Sequence, residues 1–175
     1  MLLLLKVIVL KIVELIEEDF VNYKKPCMTV MFPYCTFKCN TEAGKIVCHN
    51  TQLADSALVN ITSDEIIEKY KANPISAALV MQGLEPFDSF PELLSLVIAF
   101  SEATNDDIVI YTGYEVDEVL EQVNDLARAI NGNRLIIKFG RFKPNCSSKY
   151  DELLGVTLAS DNQYSLEIKS GQGPL

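Results

Sequence analysis

The residues best able to do chemistry are three cysteines on one short stretch. Cys35, Cys39 and Cys48 fall within fourteen positions, in a segment that runs from Phe32-Pro33-Tyr34-Cys35 to Cys48-His49-Asn50. Soft thiolates that close together can converge on a single soft metal centre. One outcome is a structural zinc ion on the three thiols with His49 as fourth ligand, although neighbours in sequence such as Cys48 and His49 rarely point at the same ion. Three thiolates without a good fourth leave one coordination position open, which suits an iron–sulfur cubane whose fourth iron is kept for a substrate. Cys27 precedes the stretch by a strand's length, about 20 Å at ~3.3 Å per residue, and is expected outside the set. It and Cys146 read as buried or idle thiols.

The elements that must position these thiols follow from period and punctuation. Cys27 to Phe32 is a short apolar run closed by Pro33 and predicts a buried strand. Thr62 with Glu65 is a capping box that opens an amphipathic helix to about Lys71, and Pro74 stops it. Ala77 to Met81 predicts the next strand, followed by a helix from near Asp88 with Pro91 in its first turn and Leu93, Leu94, Val97 and Ile98 on its inner face. A strand over Asp107 to Tyr111, a helix over about Val116 to Ile130 and a strand over Leu135 to Phe139 complete a βαβαβαβ order. Such an order predicts a parallel α/β sheet with right-handed crossovers, either doubly wound or closed as a barrel. Both place binding sites at the C-terminal ends of the strands. The segments Tyr34 to Cys48, Gln82 to Phe87, Thr112 to Tyr114 and Gly140 to Arg141 are therefore expected on one rim.

The chain has 175 residues, one domain's worth, with 49% apolar and 22% charged residues, so neither wholesale disorder nor a disulfide-stapled scaffold fits. Fifteen basic against twenty-four acidic residues give a net charge of -9, which argues against nucleic acid as a partner. The opening Leu-rich run is broken by Lys6, Lys11 and Glu14 and falls short of the roughly 20 apolar residues of a membrane span. With no basic residue before that run and no small-residue cleavage site after it, the expectation is a cytoplasmic chain without a membrane segment, whose five cysteines stay reduced, metal-bound or catalytic. Residues 1–19 read as an N-terminal extension and 171–175 as a frayed tail.

Taken in order, several segments resemble one family. Cys35 and Cys39, three residues apart, are similar to the first two cysteines of the radical S-adenosylmethionine motif, and Cys48-His49-Asn50 resembles the end of that motif in activating enzymes for glycyl-radical proteins. The second gap is eight residues where the family has two, and Val47 stands where the family has an aromatic. Gly83-Leu84-Glu85-Pro86 is similar to the family's Gly-Gly-Glu-Pro. Ile110-Tyr111-Thr112-Gly113-Tyr114 and Leu154 to Gln163 resemble segments of the activases of anaerobic ribonucleotide reductase, as does Phe139-Gly140-Arg141-Phe142, with Phe139 in place of the family's acid.

The resemblance implies a partial (β/α) barrel with helices outside, one [4Fe-4S] cluster on Cys35, Cys39 and Cys48, and S-adenosylmethionine on the fourth iron. It places Phe37, Asn50, Gly83, Leu84, Glu85, Thr112 and Lys138 around that cofactor, with Glu85 accepting from the cofactor's ammonium group and Gly83 letting backbone approach the methionine moiety. Lys138 and Arg141 hold a carboxylate or a partner's acidic surface, or else form a solvated charge pair. His49 is expected to pack the loop. The implied activity is reductive cleavage to a 5'-deoxyadenosyl radical and installation of a glycyl radical on a large partner subunit. The implied electron donor is a flavodoxin- or ferredoxin-like protein docking on Lys24, Lys25, Lys38 and Lys45. The alternatives are a non-enzymatic iron–sulfur or zinc-binding interaction module, or a radical enzyme of the same family with a different substrate.

Overall fold

A computed structural model describes residues 8–171. The start of the opening Leu-rich run and residues 172–175 of the expected tail lie outside the described residues; Gly171 itself donates its N–H to the Ala127 carbonyl at 3.0 Å. The elements in chain order are β1 (Val9–Ile12), β2 (Glu14–Asp19), β3 (Cys27–Phe32), α1 (Lys38–Ala43), β4 (Val59–Thr62), α2 (Ser63–Ala72), β5 (Ala78–Gly83), α3 (Phe90–Ala103), β6 (Asp107–Tyr111), α4 (Leu120–Ala129), β7 (Leu135–Phe139), β8 (Lys149–Asp151), β9 (Val156–Leu158) and β10 (Tyr164–Ile168).

Six strands form the main sheet in the order β10-β7-β6-β5-β3-β2. The central β3, β5, β6 and β7 are parallel and are the four strands expected from sequence. Antiparallel β2 and β10 close the two edges, so the sheet is mixed. The segment read as an N-terminal extension thus supplies β2 to the main sheet and β1 to a small antiparallel pair with β4. A second small pair joins β8 and β9. Strand β5 runs two residues beyond the expected Met81, because Gln82 and Gly83 continue to pair with Met31 and Phe32.

Alternation along the strands divides the interior in two. Met28, Val30 and Phe32 of β3, with Leu79, Met81, Ile108, Ile110, Leu135, Ile137 and Phe139, pack under α2, α3 and α4. The alternate residues Cys27, Ala78, Val80, Val109 and Ile136 pack under Tyr23, Leu154 and Leu158. All three long helices therefore share one face, and a doubly wound sheet, with helices on both faces, is overturned. The capping box forms as expected: Thr62 Oγ1 accepts from the Glu65 N–H at 3.1 Å, and Glu65 Oε2 accepts from the Thr62 N–H at 2.7 Å. The expected inner face of α3 is corrected to Leu93, Leu96, Val97 and Phe100, with Ile98 turned outward. That helix is apolar nearly all round, and its hydrophobic period leaves the phase open between two faces.

Candidate functional site

The C-terminal ends of the parallel strands open onto a cavity of about 220 Å³. Each of the four segments expected on one rim contributes to its wall, which includes Cys35, Cys39, Cys48, Glu85, Thr112 and Lys138. Strand direction accounts for this: in a parallel sheet every βα connection leaves from the same edge.

On the thiol side, Pro33 ends β3 and the chain turns through Phe37, whose φ of 51° lies in the left-handed region. That turn aims the Phe37 N–H at Cys35 Sγ, 3.2 Å away, and starts α1. Gly44, with φ of 66°, ends α1 and sends the chain back. Asn40 then draws in the returning segment: its Oδ1 accepts from the Val47 N–H at 2.8 Å and the Cys48 N–H at 2.9 Å. The long Cys39 to Cys48 gap is thereby folded up as one helical turn and a return that places Cys48 on the same cavity as Cys35 and Cys39. Asn40 is the residue that reading the sequence missed; its one signal was an Asn, a side chain that bonds nearby backbone, inside the long gap. Beyond it, Thr51 Oγ1 donates to the Cys48 carbonyl at 2.9 Å, and Asn50 Nδ2 donates to the Gly83 carbonyl at 3.0 Å. Phe37 does not line the cavity. His49 packs on Phe142 with ring centroids 4.5 Å apart, the loop-packing role expected of it.

The donor set fits an iron–sulfur centre. All three cysteines are free thiols on one cavity, and neither Cys27 nor Cys146 lines it. Among the described residues no three His, Cys, Asp or Glu side chains are already gathered in a ligating cluster. Burial pushes the Cys35 thiol up to about 11, and burial followed by the neighbouring Cys48 raises Cys39. These thiols are protonated at neutral pH, and metal binding must release their protons.

On the same cavity, Glu85 is buried and accepts three hydrogen bonds. Its Oε1 accepts from Thr112 Oγ1 at 2.8 Å and from the Phe87 N–H at 3.1 Å, while Oε2 accepts from the Gly113 N–H at 2.8 Å. Desolvation nevertheless outweighs these bonds and pushes its carboxyl up to about 7. Folded Glu85 therefore keeps a proton that the unfolded chain releases at about 4.5, so its contribution to stability is full below that pH and is lost as pH rises through about 7. Urea unfolding of the metal-free chain should show stability falling across this window. Glu85→Gln should flatten the slope; an unchanged slope would place the titrating group elsewhere.

Gly83 has a φ of 108°, and a Cβ there would sit 2.7 Å from the Phe32 nitrogen. Strand β3 alone thus requires glycine, whatever else approaches it. Leu84 donates its N–H to the Phe32 carbonyl and lines the cavity. Lys138 is buried, and Nζ donates to the carbonyls of Gly140 at 2.8 Å and Thr112 at 3.3 Å. Burial lowers its ammonium to about 8, against the opposing pull of Glu85.

The rim carries a charge network and not the solvated pair considered for Lys138 and Arg141. Arg141 Nη2 donates to both oxygens of Glu118, at 2.6 and 2.8 Å, and holds that carboxyl down to about 2. Lys38 reaches the same Glu118 at 3.3 Å and lies 4.7 Å from the centre of the Tyr114 ring. The expected basic patch is corrected. Lys24 and Lys25 precede β3, at the opposite edge of the sheet, where Lys25 pairs with Asp107 at 2.6 Å. Strand length explains the separation, since six extended residues stand between them and the thiols. Phe139 is fully buried and stacks on Tyr164 at 5.7 Å, so the residue replacing the family's acid belongs to the core.

The βα connections of the sheet bring three free thiols onto one cavity, the kind of donor set a single metal cluster takes. Residues 26–163 match the model of the 4Fe-4S single cluster domain, and the chain belongs to that family. It is an iron–sulfur protein with a [4Fe-4S] cluster. No curated protein matches the chain. No helix among the described residues is long and apolar enough to cross a membrane.

Proposed function

We propose that this protein is a cytoplasmic radical S-adenosylmethionine enzyme that installs a glycyl radical on a large partner subunit, most like that of anaerobic ribonucleotide reductase. The observation that carries the reading is the placement of three thiols and a buried carboxylate across one cavity at the C-terminal ends of parallel strands. Cys35, Cys39 and Cys48 are the cluster ligands in this reading, and the sheet with its helices on one face is a partial barrel. When bound, the cluster supplies the electron that cleaves S-adenosylmethionine, and the 5'-deoxyadenosyl radical so released takes a hydrogen atom from a glycine Cα of the partner.

The chain's own groups prepare that event. Glu85, fixed by Thr112, Phe87 and Gly113, keeps acceptor lone pairs for the cofactor's ammonium group, and a cation there returns the carboxyl to its ionised form. Asn50 ties the thiol loop to Gly83 at the end of β5 and so holds that loop over the cavity. Lys45 on the thiol loop, with Lys38 beside it already sharing Glu118 with Arg141, is the basic edge offered to an acidic flavodoxin- or ferredoxin-like donor.

Anaerobic reconstitution, reduction and addition of S-adenosylmethionine should release 5'-deoxyadenosine. Mixing with the glycyl-radical subunit encoded nearest to this chain should give an electron paramagnetic resonance doublet that loses its main splitting when the glycine is Cα-deuterated. Turnover without a protein radical would reassign the substrate. No turnover at all would favour a non-enzymatic cluster-bearing interaction module, the reading supported by Phe139 lying in the core where the family has an acid.

A further inference from the structure

We propose that Arg141 is a positioning residue for the metal centre: with Glu118 it clasps α1 to the loops at the strand ends and so sets where Cys39 sits. The long stretch between Cys39 and Cys48 forms α1 and its return, and something must hold it to the rest of the fold. Burial does not. No residue from Tyr34 to Asn50 is buried, α1 included, so the apolar packing that docks α2, α3 and α4 is missing here. The bonds from Asn40 to Val47 and Cys48 close the loop on itself and tie it to nothing else.

Polar tethers take the place of a buried face. Thr36 donates its N–H to Asp88 Oδ2 at 3.0 Å, Lys38 Nζ reaches Glu118 Oε1 at 3.3 Å, and Arg141 Nε lies 3.4 Å from Glu42 Oε1. Two of these meet in one knot, because Arg141 bonds both oxygens of Glu118 while it reaches Glu42. One guanidinium thus joins α1 to the turn before α4. Glu118 is held in place for this, since its Oε2 accepts from the Glu115 N–H at 2.8 Å and serves as the second Glu118 oxygen on Arg141. The ring of Tyr114 lies 4.7 Å from Lys38 Nζ and 5.7 Å from Arg141 Cζ. Its hydroxyl donates at 2.6 Å to Asp88, the same carboxylate that holds Thr36. The three tethers are therefore one network.

Isolated surface ion pairs contribute little, because water screens them and two long side chains must be held in one geometry. Arg141 differs on two counts: its side chain is only 10% exposed, and its fork grips Glu118 with two bonds, which fixes direction as well as distance. Cys39 is the second residue of α1 and stands between the tethered Lys38 and Glu42. A helix without a buried face that lost this grip would turn or drift, and the Cys39 thiol would move away from Cys35 and Cys48. The clasp rests on the reading of Cys39 as a cluster ligand, and on neither radical chemistry nor a partner.

The test titrates the reduced, metal-free full chain with Co²⁺ at one pH, reading the thiolate-to-metal absorbance. Arg141→Gln should weaken Co²⁺ binding about 10-fold, the lower end of the 10–100-fold loss on removing groups that orient metal ligands, and Arg141→Lys should recover part of it. Glu42→Gln should weaken it as well, and the double variant should lose little more than Arg141→Gln alone, because both cut the same tether. Should Arg141→Gln not fold, Glu42→Gln carries the test, at a side chain that is 55% exposed. Arg134→Gln is the control: it cuts a pair with Glu167 at the start of β7, away from the cavity, and should leave Co²⁺ affinity unchanged. A merely structural Arg141 would lower the melting temperature in Arg141→Gln at unchanged Co²⁺ affinity. That result, with Cys39→Ala still weakened, would overturn the clasp alone. Unchanged Co²⁺ affinity in Cys39→Ala would overturn the ligand reading and the clasp with it.

Discussion

Replacing any one of Cys35, Cys39 and Cys48 with Ala should abolish the oxygen-sensitive cluster, read as iron and sulfide content and visible absorbance after anaerobic reconstitution. With three thiolates and one open position, a cubane has no ligand to spare; removing one exposes a second iron and the cluster is lost or degraded. The structure supplies internal controls. Cys27 is fully buried under the sheet, its thiol pushed up to about 12 by burial and donating to the Asp19 carbonyl at 3.4 Å, so it is inert toward metal. Cys146 lies on a neighbouring loop and does not line the cavity. Cys27→Ala and Cys146→Ala should therefore keep about four irons per chain. A variant at 35, 39 or 48 that also kept about four irons and a normal spectrum would remove that residue from the ligand set.

Gly83→Ala should cost at least about 2 kcal/mol of stability. A left-handed or otherwise glycine-only conformation strains an alanine by ~1–3 kcal/mol, and crowding a packed interior adds ~1–3 kcal/mol. Here the added Cβ would meet the Phe32 nitrogen at 2.7 Å and the Phe32 oxygen at 2.8 Å. Both are backbone atoms of a central strand that cannot swing away. Gly44→Ala is the matched control: its φ of 66° is also positive, but nothing lies within 4 Å of the new methyl group. Denaturant melts should separate the two variants by ~1 kcal/mol or more, which is ~2–4 °C in melting temperature for a chain of this size. Equal losses would mean that β3 and β5 do not approach as closely as the pairing of Phe32 with Gly83 requires.

The sequence by itself determined the four parallel strands, because each is a short continuous apolar run bounded by Pro, Gly or polar turns, the pattern of strands buried on both faces. It determined the start of α2 for a local reason, since Thr62 and Glu65 satisfy each other's backbone within one turn. It also determined that Cys35, Cys39, Cys48, Glu85 and Thr112 belong to one rim, because parallel strands send every following loop to the same edge. Only the tertiary structure decided the rest. The short edge elements β1, β2, β4, β8, β9 and β10 carry no strong period of their own and form because partners in the sheet or hairpin accept their hydrogen bonds. The phase of α3 was open until the sheet chose which side of an apolar helix to bury. The gap between Cys39 and Cys48 closed through Asn40, a bond between a side chain and backbone seven and eight residues away that spacing alone does not encode. From sequence Lys138 stood either at the cofactor, on a carboxylate, or in a solvated charge pair with Arg141. Its burial follows from the pleat of β7, which turns Ile137 and Phe139 toward the helices and position 138 to the other face of the sheet, where it lines the cavity.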